Sequence, residues 1–445
     1  MFENIIEQGA VSQLRDDILG GHQAPCMLFY GPGESGKGSA ALELARVLSC
    51  TSDGAAWKCS CPSCERHRYL QNDDLLILGK KSFSAEINAS CSVFLLNPHS
   101  QSGKHLFFRS LRKLQMRFSP VLMEDDPKFA RLSPLLQSLD ELLNEFLLTD
   151  TEKENAQVSE KLCKALVKNA LSLDEEGISA LVPVGHIRKA SYWCRLAPNG
   201  KRKTLIIENA ENMRDEARNS LLKLLEEPPA GVSIVLTAQR REAVMPTILS
   251  RLRPYRFLKR SMEGEKEVLR RVFQYNVKEI PLDEGRSLIS SYLESFLVQG
   301  TEKLYPLAVL FVASMARITS LSLKKKNSGG ILRIMGELEE RYAPIAEGMG
   351  FVCLEKSSVL IKTMLAKSGN FEDDSFSRFL RLCLELIAAV TIGNDDPFSV
   401  AFNDIVKKHI GEAVTSVDIL NQSTALALEA LMYKIKTAVL GRQYG

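Results

Sequence analysis

The feature that most constrains this chain is the passage from Cys26 to Leu48. A short apolar run, CMLFY, leads into Gly31-Pro-Gly-Glu-Ser-Gly36-Lys37-Gly38-Ser39 and then into the helical pattern AALELARVL. Strand, glycine-rich turn and helix in this order define a phosphate-binding loop. Gly31, Gly33 and Gly36 let backbone N–H groups converge on phosphate oxygens, and the start of the helix adds its partial positive charge. Lys37 is positioned to reach the β- and γ-phosphates. The loop also fixes the fold class, since it exists only between a buried parallel strand and its crossover helix.

The pattern fails one residue later. A Ser or Thr hydroxyl should follow the lysine and bind Mg²⁺, but this chain has Gly38 there. Ser39 is no substitute, because one step along a helix turns the side chain by roughly 100°.

Further uninterrupted apolar runs at Leu75–Leu78, Thr204–Ile207 and Val232–Thr237 read as buried parallel strands. The second of these, Thr204–Ile207, ends in Glu208-Asn209, where an ATPase of this kind places an Asp for the metal and a Glu that activates water. Glu208 is one methylene longer than the Asp, and Asn209 is a neutral amide that cannot act as a general base. Two independent losses argue against hydrolysis at this site, and ATP or ADP is expected to bind weakly or not at all.

Between about residues 80 and 185 the α/β rhythm gives way to a helical insertion. Ser133 and Pro134 read as the N-cap and first turn of a helix to Leu148. That helix would carry Leu135, Leu136, Leu139, Leu142, Leu143 and Phe146 on one face. A second helix runs through Leu162 and Leu166. The insertion reads as a packing elaboration, with a partner-docking arm as the alternative. After Arg260 amphipathic helices dominate, and Lys324–Gly330 (KKKNSGG) reads as a linker or long loop.

Cys50, Cys59, Cys61 and Cys64 lie within fifteen residues, beside a turn-forming Pro-Ser. Four thiolates so placed suit a closed, tetrahedral structural Zn²⁺ site. His67 is a possible substitute ligand, but is read as a surface side chain. The other cysteines, Cys26, Cys91, Cys163, Cys194, Cys353 and Cys383, sit mostly in apolar surroundings and are expected in cores.

Composition narrows the classes. The 445 residues are 45% hydrophobic and 25% charged with a formal charge of +3, so any nucleic-acid surface would have to be a local patch. No signal-peptide pattern opens the chain and no apolar run reaches the roughly 18 residues of a membrane span. The expectation is a cytoplasmic protein.

The chain resembles the bacterial replicative clamp-loader AAA+ family. The resemblance rests on Asn209-Ala-Glu-Asn-Met, on Arg218-Asn-Ser-Leu-Leu-Lys-Leu-Leu-Glu-Glu-Pro-Pro229, and on Met245-Pro-Thr-Ile-Leu-Ser-Arg251. The opening Phe2–Gln8 and His22–Pro25 fit as well. It covers roughly residues 1–75 and 185–260. It implies an α/β AAA+ P-loop domain with a parallel sheet, a zinc module and a helical insertion over residues 1–258, with the zinc module at 50–64. A helical lid over 259–325 and a helical collar for oligomerisation over 326–445 would follow. It also implies that Arg251, with Ser250, is an arginine finger for a neighbouring subunit's ATP site, and that Thr237 sits at a sensor position. The family's zinc module at this place has a slightly different spacing, since here only Ser60 separates Cys59 from Cys61. Implied partners are other clamp-loader subunits, with the sliding clamp and primed DNA met through the complex. A damaged site beside a retained finger points to a stator-type subunit. The alternatives are a motor-type subunit that hydrolyses ATP despite Gly38 and Asn209, and an interaction protein that uses the fold outside replication.

Overall fold

The computed structural model describes residues 1–79, 81–126, 129–149, 156–177, 181–275, 287–296, most of 304–315, 373–391, 397–418 and 424–441. Five parallel strands, β1 (Cys26–Tyr30), β2 (Leu75–Gly79), β3 (Lys203–Glu208), β4 (Val232–Ala238) and β5 (Arg253–Arg256), form one sheet in the order β2-β3-β4-β1-β5. Four of them are the expected apolar runs. They are buried because crossover helices cover both faces of a parallel sheet.

β5 has no such signature. Its sequence is RPYR, in which only Tyr255 is fully buried. It lies on the sheet edge and pairs with β1 alone, which is where a proline that cannot donate to the ladder is tolerated. The Tyr255 ring packs edge-on against Phe29 at 5.6 Å, and its hydroxyl donates to Asp17 Oδ2 at 2.6 Å.

On one side of the sheet lie α1 (Gly9–Leu19), α2 (Lys37–Ser49) and the short α3 (Pro62–Arg68). Their Leu14, Ala41, Leu44 and Ala45 meet Met27, Phe29, Ile77 and Val235. The helical insertion then runs through α4 (Ser84–Leu96), α5 (Gln101–Gln115), α6 (Pro120–Met123), α7 (Phe129–Leu148) and α8 (Ala156–Gly177). It has its own core, in which Phe94, Phe107, Phe146, Leu139, Leu143 and Leu166 are all buried. Helix α7 starts at Phe129, one turn before the expected cap, and Pro134 lies inside it. Leu132 is fully buried in the insertion core, and that burial extends the helix upstream. Pro134 removes only one main-chain bond close to the helix start, a modest loss there.

The chain returns through α9 (Val184–Arg195) to β3. Helix α10 (Asp215–Glu226) follows, and its buried Ala217, Leu221, Leu224 and Leu225 form the stripe read from the sequence. After β4 the short α11 (Pro246–Leu249) leads into β5. Helices α12 (Met262–Val272) and α13 (Leu288–Ser295) then pack on α4, where Leu269, Phe273, Ile289 and Tyr292 meet Ala89 and Val93.

These elements form one compact unit, residues 1–297, and residues 298–445 form another. In the second unit, α14 (Asp373–Thr391), α15 (Pro397–Asp418) and α16 (Thr424–Gly441) share a core that includes Phe379, Leu386, Val406, Ile410, Leu428 and Leu431. The expected 325/326 domain boundary, the Lys324–Gly330 linker and Cys353 lie outside the described residues. Cys26, Cys91, Cys163, Cys194 and Cys383 are buried, as the sequence suggests. Among the described residues no helix is long and apolar enough to cross a membrane.

Candidate nucleotide and metal sites at the two ends of one helix

Helix α2 starts in the glycine-rich loop and ends against the cysteines. At its first end Gly36 has φ 92°, a left-handed conformation that glycine adopts freely. Gly31, at φ 148°, passes so close to β5 that a Cβ would run into the Phe257 carbonyl oxygen. Both positions therefore need glycine for backbone reasons.

Lys37 is buried inside the loop. Its ammonium has three N–H donors, and it gives them to the Gly31 carbonyl at 2.6 Å, the Pro32 carbonyl at 2.5 Å and Ser35 Oγ at 3.3 Å. Burial lowers its pKa to about 8, against the opposing pull of Glu211, Glu34 and Glu208. Gly33 and Ser39 are exposed, so Ser39 does not replace the missing hydroxyl. Arg260 lies across the loop, with Nε donating to the Ile6 carbonyl at 3.0 Å and Nη1 to the Glu34 carbonyl.

The acidic motif meets this loop directly. Strands β1 and β3 flank β4, and their carboxyl ends open on the same edge, where ligands of open α/β sheets bind. A Cβ on Gly38 would stand only 2.8 Å from Glu208 Oε1. The carboxylate thus fills the space that a metal-binding hydroxyl would occupy. Its other oxygen, Oε2, accepts from Arg117 Nη2, a guanidinium carried by the turn after α5. Burial pushes the Glu208 carboxyl up, but Arg117, Lys81 and Lys113 together hold it below the usual carboxylate range. The residues present therefore do not fit Mg²⁺: one ligand is missing and the other is engaged by a cation of the chain.

Asn209 adopts a left-handed conformation (φ 51°, ψ 60°), and its backbone N–H donates to Thr237 Oγ1 at 3.1 Å. The sensor candidate Thr237 is buried and ties the ends of β3 and β4 together. Arg117, Lys81 and Arg260 are the members of this site that sequence reading missed. Nothing around Arg117 (QMRFSP) marks it, since the fold alone brings it to Glu208.

At the other end of α2 the Sγ atoms of Cys50, Cys59, Cys61 and Cys64 lie within 4.8 Å of one another. Cys50 Sγ is 3.7 Å from Cys59 Sγ and 3.9 Å from Cys61 Sγ. Tetrahedral zinc with Zn–S bonds of about 2.3 Å spaces its sulfurs roughly 3.8 Å apart. The four cysteines fit such an ion. The short Cys-x-Cys step is accommodated because Cys61 caps α3, its Sγ accepting from Cys64 N–H at 3.4 Å with Pro62 opening the helix. Arg46 adds positive charge beside the sulfurs, donating to Cys64 Sγ at 3.0 Å while paired with Glu43 at 2.7 Å.

His67 is not a surface residue, contrary to the sequence reading. It is 3% exposed, both ring nitrogens have no hydrogen-bond partner among the described residues, and it is not one of the clustered ligands. Burial, reinforced by Arg46, Arg109 and Arg66, lowers its pKa to about 4. Helix α3 turns His67 inward, a direction that residue type does not reveal.

Arg251 lies elsewhere. It is partly exposed beyond α11, with Nη2 on Glu226 Oε1 at 2.5 Å and Nη1 on the Thr247 carbonyl at 2.5 Å and Ser250 Oγ at 3.1 Å. Its hydrogen bonds go to Glu226 of α10, Thr247 of α11 and Ser250, and among the described residues none reaches Gly31–Ser39.

A family model described as DNA polymerase III, delta subunit, matches residues 137–261. That stretch begins in α7 and carries β3, α10, β4, Arg251 and β5. No curated protein matches the chain. Among solved structures the chain is similar to a DNA polymerase III gamma-subunit-related protein from Thermotoga maritima, at 23% identity and a TM-score of 0.28. That match covers 59% of this chain and 81% of the other. The matched stretch is thus similar to the DNA polymerase III delta-subunit family.

Proposed function

We propose that the chain is a delta-prime-type subunit of the DNA polymerase III clamp loader, a stator that does not hydrolyse ATP. In this role it assembles with other clamp-loader subunits, lends Arg251 to a neighbour's ATP site, and helps load the sliding clamp onto primed DNA. The observation that carries the reading is an asymmetry between two cationic groups. Lys37 has all three donors engaged within its own loop, whereas Arg251 is partly exposed and leans on a single carboxylate, Glu226, which is itself 47% exposed. An exposed ion pair of this kind is worth about 1 kcal/mol or less, so Arg251 exchanges Glu226 for a phosphate at little cost. The four cysteines hold Zn²⁺ as a structural ion in this reading.

The test is a reconstituted ring assayed for clamp- and DNA-stimulated ATP turnover. Arg251→Ala should leave the fold and assembly intact and abolish turnover at one neighbouring site, where such an arginine is worth roughly 10³ or more in rate. The purified chain alone should turn over no ATP. Unchanged turnover in the Arg251→Ala ring would remove the finger role. Robust turnover by the isolated chain would favour a gamma/tau-like ATPase instead.

A further inference from the structure

The Glu208 carboxylate beside Gly38 is held by a cation of the insertion. Arg117 is 8% exposed, and its Nη2 holds Glu208 Oε2 while Glu208 Oε1 abuts the Gly38 position. Its Nε and Nη1 are buried and have no hydrogen-bond partner among the described residues. The guanidinium carbon lies 5.3 Å from the centroid of the Phe83 ring, a cation–π contact that helps hold it in place. Two donors of a buried cation are therefore unspent, on the guanidinium whose partner Glu208 abuts the first turn of α2. The N–H groups of that turn have no intrahelical acceptor. Lys81 stands nearby, paired with Glu86 at 3.5 Å, and Glu86 is shared with Lys113.

We infer that Arg117 takes the place of the metal, so that this P-loop accepts the polyphosphate of a nucleoside di- or triphosphate without Mg²⁺. A guanidinium presents a planar fork suited to phosphate oxygens, and its charge answers the same need as the ion. Unlike Mg²⁺, it is fixed to the insertion, so an occupied site clamps α5 and its turn onto α2. The insertion is then the part of the molecule that senses occupancy. This rests on the reading of a non-hydrolysing site but is independent of Arg251.

Binding of ADP and ATP to the full chain, by calorimetry in EDTA and again in excess Mg²⁺, tests it. The two Kd values should agree within about twofold, and Arg117→Ala should raise the Kd in EDTA by about tenfold. In that variant Mg²⁺ should recover part of the loss, because Glu208 is released. Arg117→Ala leaves Glu208 buried without its partner, so a second variant guards against misfolding. Glu208→Gln keeps the guanidinium, removes its competing anion, and should tighten binding in EDTA. Tightening of the unaltered chain by Mg²⁺ of about tenfold or more overturns the inference. So does the absence of binding by either nucleotide, or a Glu208→Gln variant that binds no better. Turnover of ATP would instead sink the non-hydrolysing reading, a separate readout.

Discussion

The two ends of α2 differ in who satisfies their polar groups. At the loop end Lys37 spends its donors on Gly31, Pro32 and Ser35, and Glu208 spends one oxygen on Arg117. At the cysteine end four sulfurs face one another with Arg46 as the charged neighbour, an arrangement that could hold an ion. A site whose ligands are already paired by the protein has little to gain from a metal. A site of converging thiolates gains folding free energy from one. The difference teaches that motif damage and motif completeness leave separate structural signatures, even thirteen residues apart on a single helix.

The comparison is broken most directly at the cysteine end. Cys64 is fully buried between Arg46 and Cys61. Cys64→Ser should abolish metal binding and lose about 4 kcal/mol of stability, or roughly 6 °C in Tm for a unit of this size. Metal analysis beside a thermal melt decides it: a metal-free variant with an unchanged Tm would show that the cluster does not hold the fold together.

At the loop end the largest effect should come from Gly31. Alanine there must adopt φ 148° and meet the Phe257 carbonyl, so Gly31→Ala should cost about 3 kcal/mol by denaturant titration. Gly38→Ser is a milder change. Its side chain would press on Glu208 Oε1 at 2.8 Å, where a flexible carboxylate can shift, and about 1 kcal/mol is expected. Even with the hydroxyl restored, ATP turnover should stay absent, because Arg117 still holds Glu208 and Asn209 is no base. Turnover in the single variant would mean that Gly38 alone had silenced the site.

Much of this was legible in the sequence. The four apolar strands, the glycine-rich turn, the stripe of Leu221 and Leu224, and the cysteine spacing each follow from local periodicity or ligand chemistry. β5 was not, since RPYR takes its place from sheet pairing with β1, not from its own pattern. Nor was the inward turn of His67 or the early start of α7, both decided by burial against distant residues. Arg117 is the clearest case. It lies 91 residues from Glu208 along the chain, and no rule of spacing connects them. Long-range ion pairs across an insertion are properties of the fold.

A last expected effect concerns Lys37. Its pKa of about 8 lies below the ordinary 10.5 because burial disfavours the ammonium more than Glu211, Glu34 and Glu208 favour it. Between pH 8 and 10.5 the unfolded chain holds a proton that the folded chain has released. Stability therefore rises with pH through that window, and the cost of burying the charge is felt below pH 8. The titration of the Lys37 Cε resonance, assigned against Lys37→Arg, measures this directly. A midpoint near 8 sharpens the contrast, because it means that the Lys37 ammonium is held by contacts within its own loop. A midpoint at the ordinary value would mean that Lys37 is solvated and free to reach a ligand, and the two ends of α2 would then differ only in chemistry, not in availability.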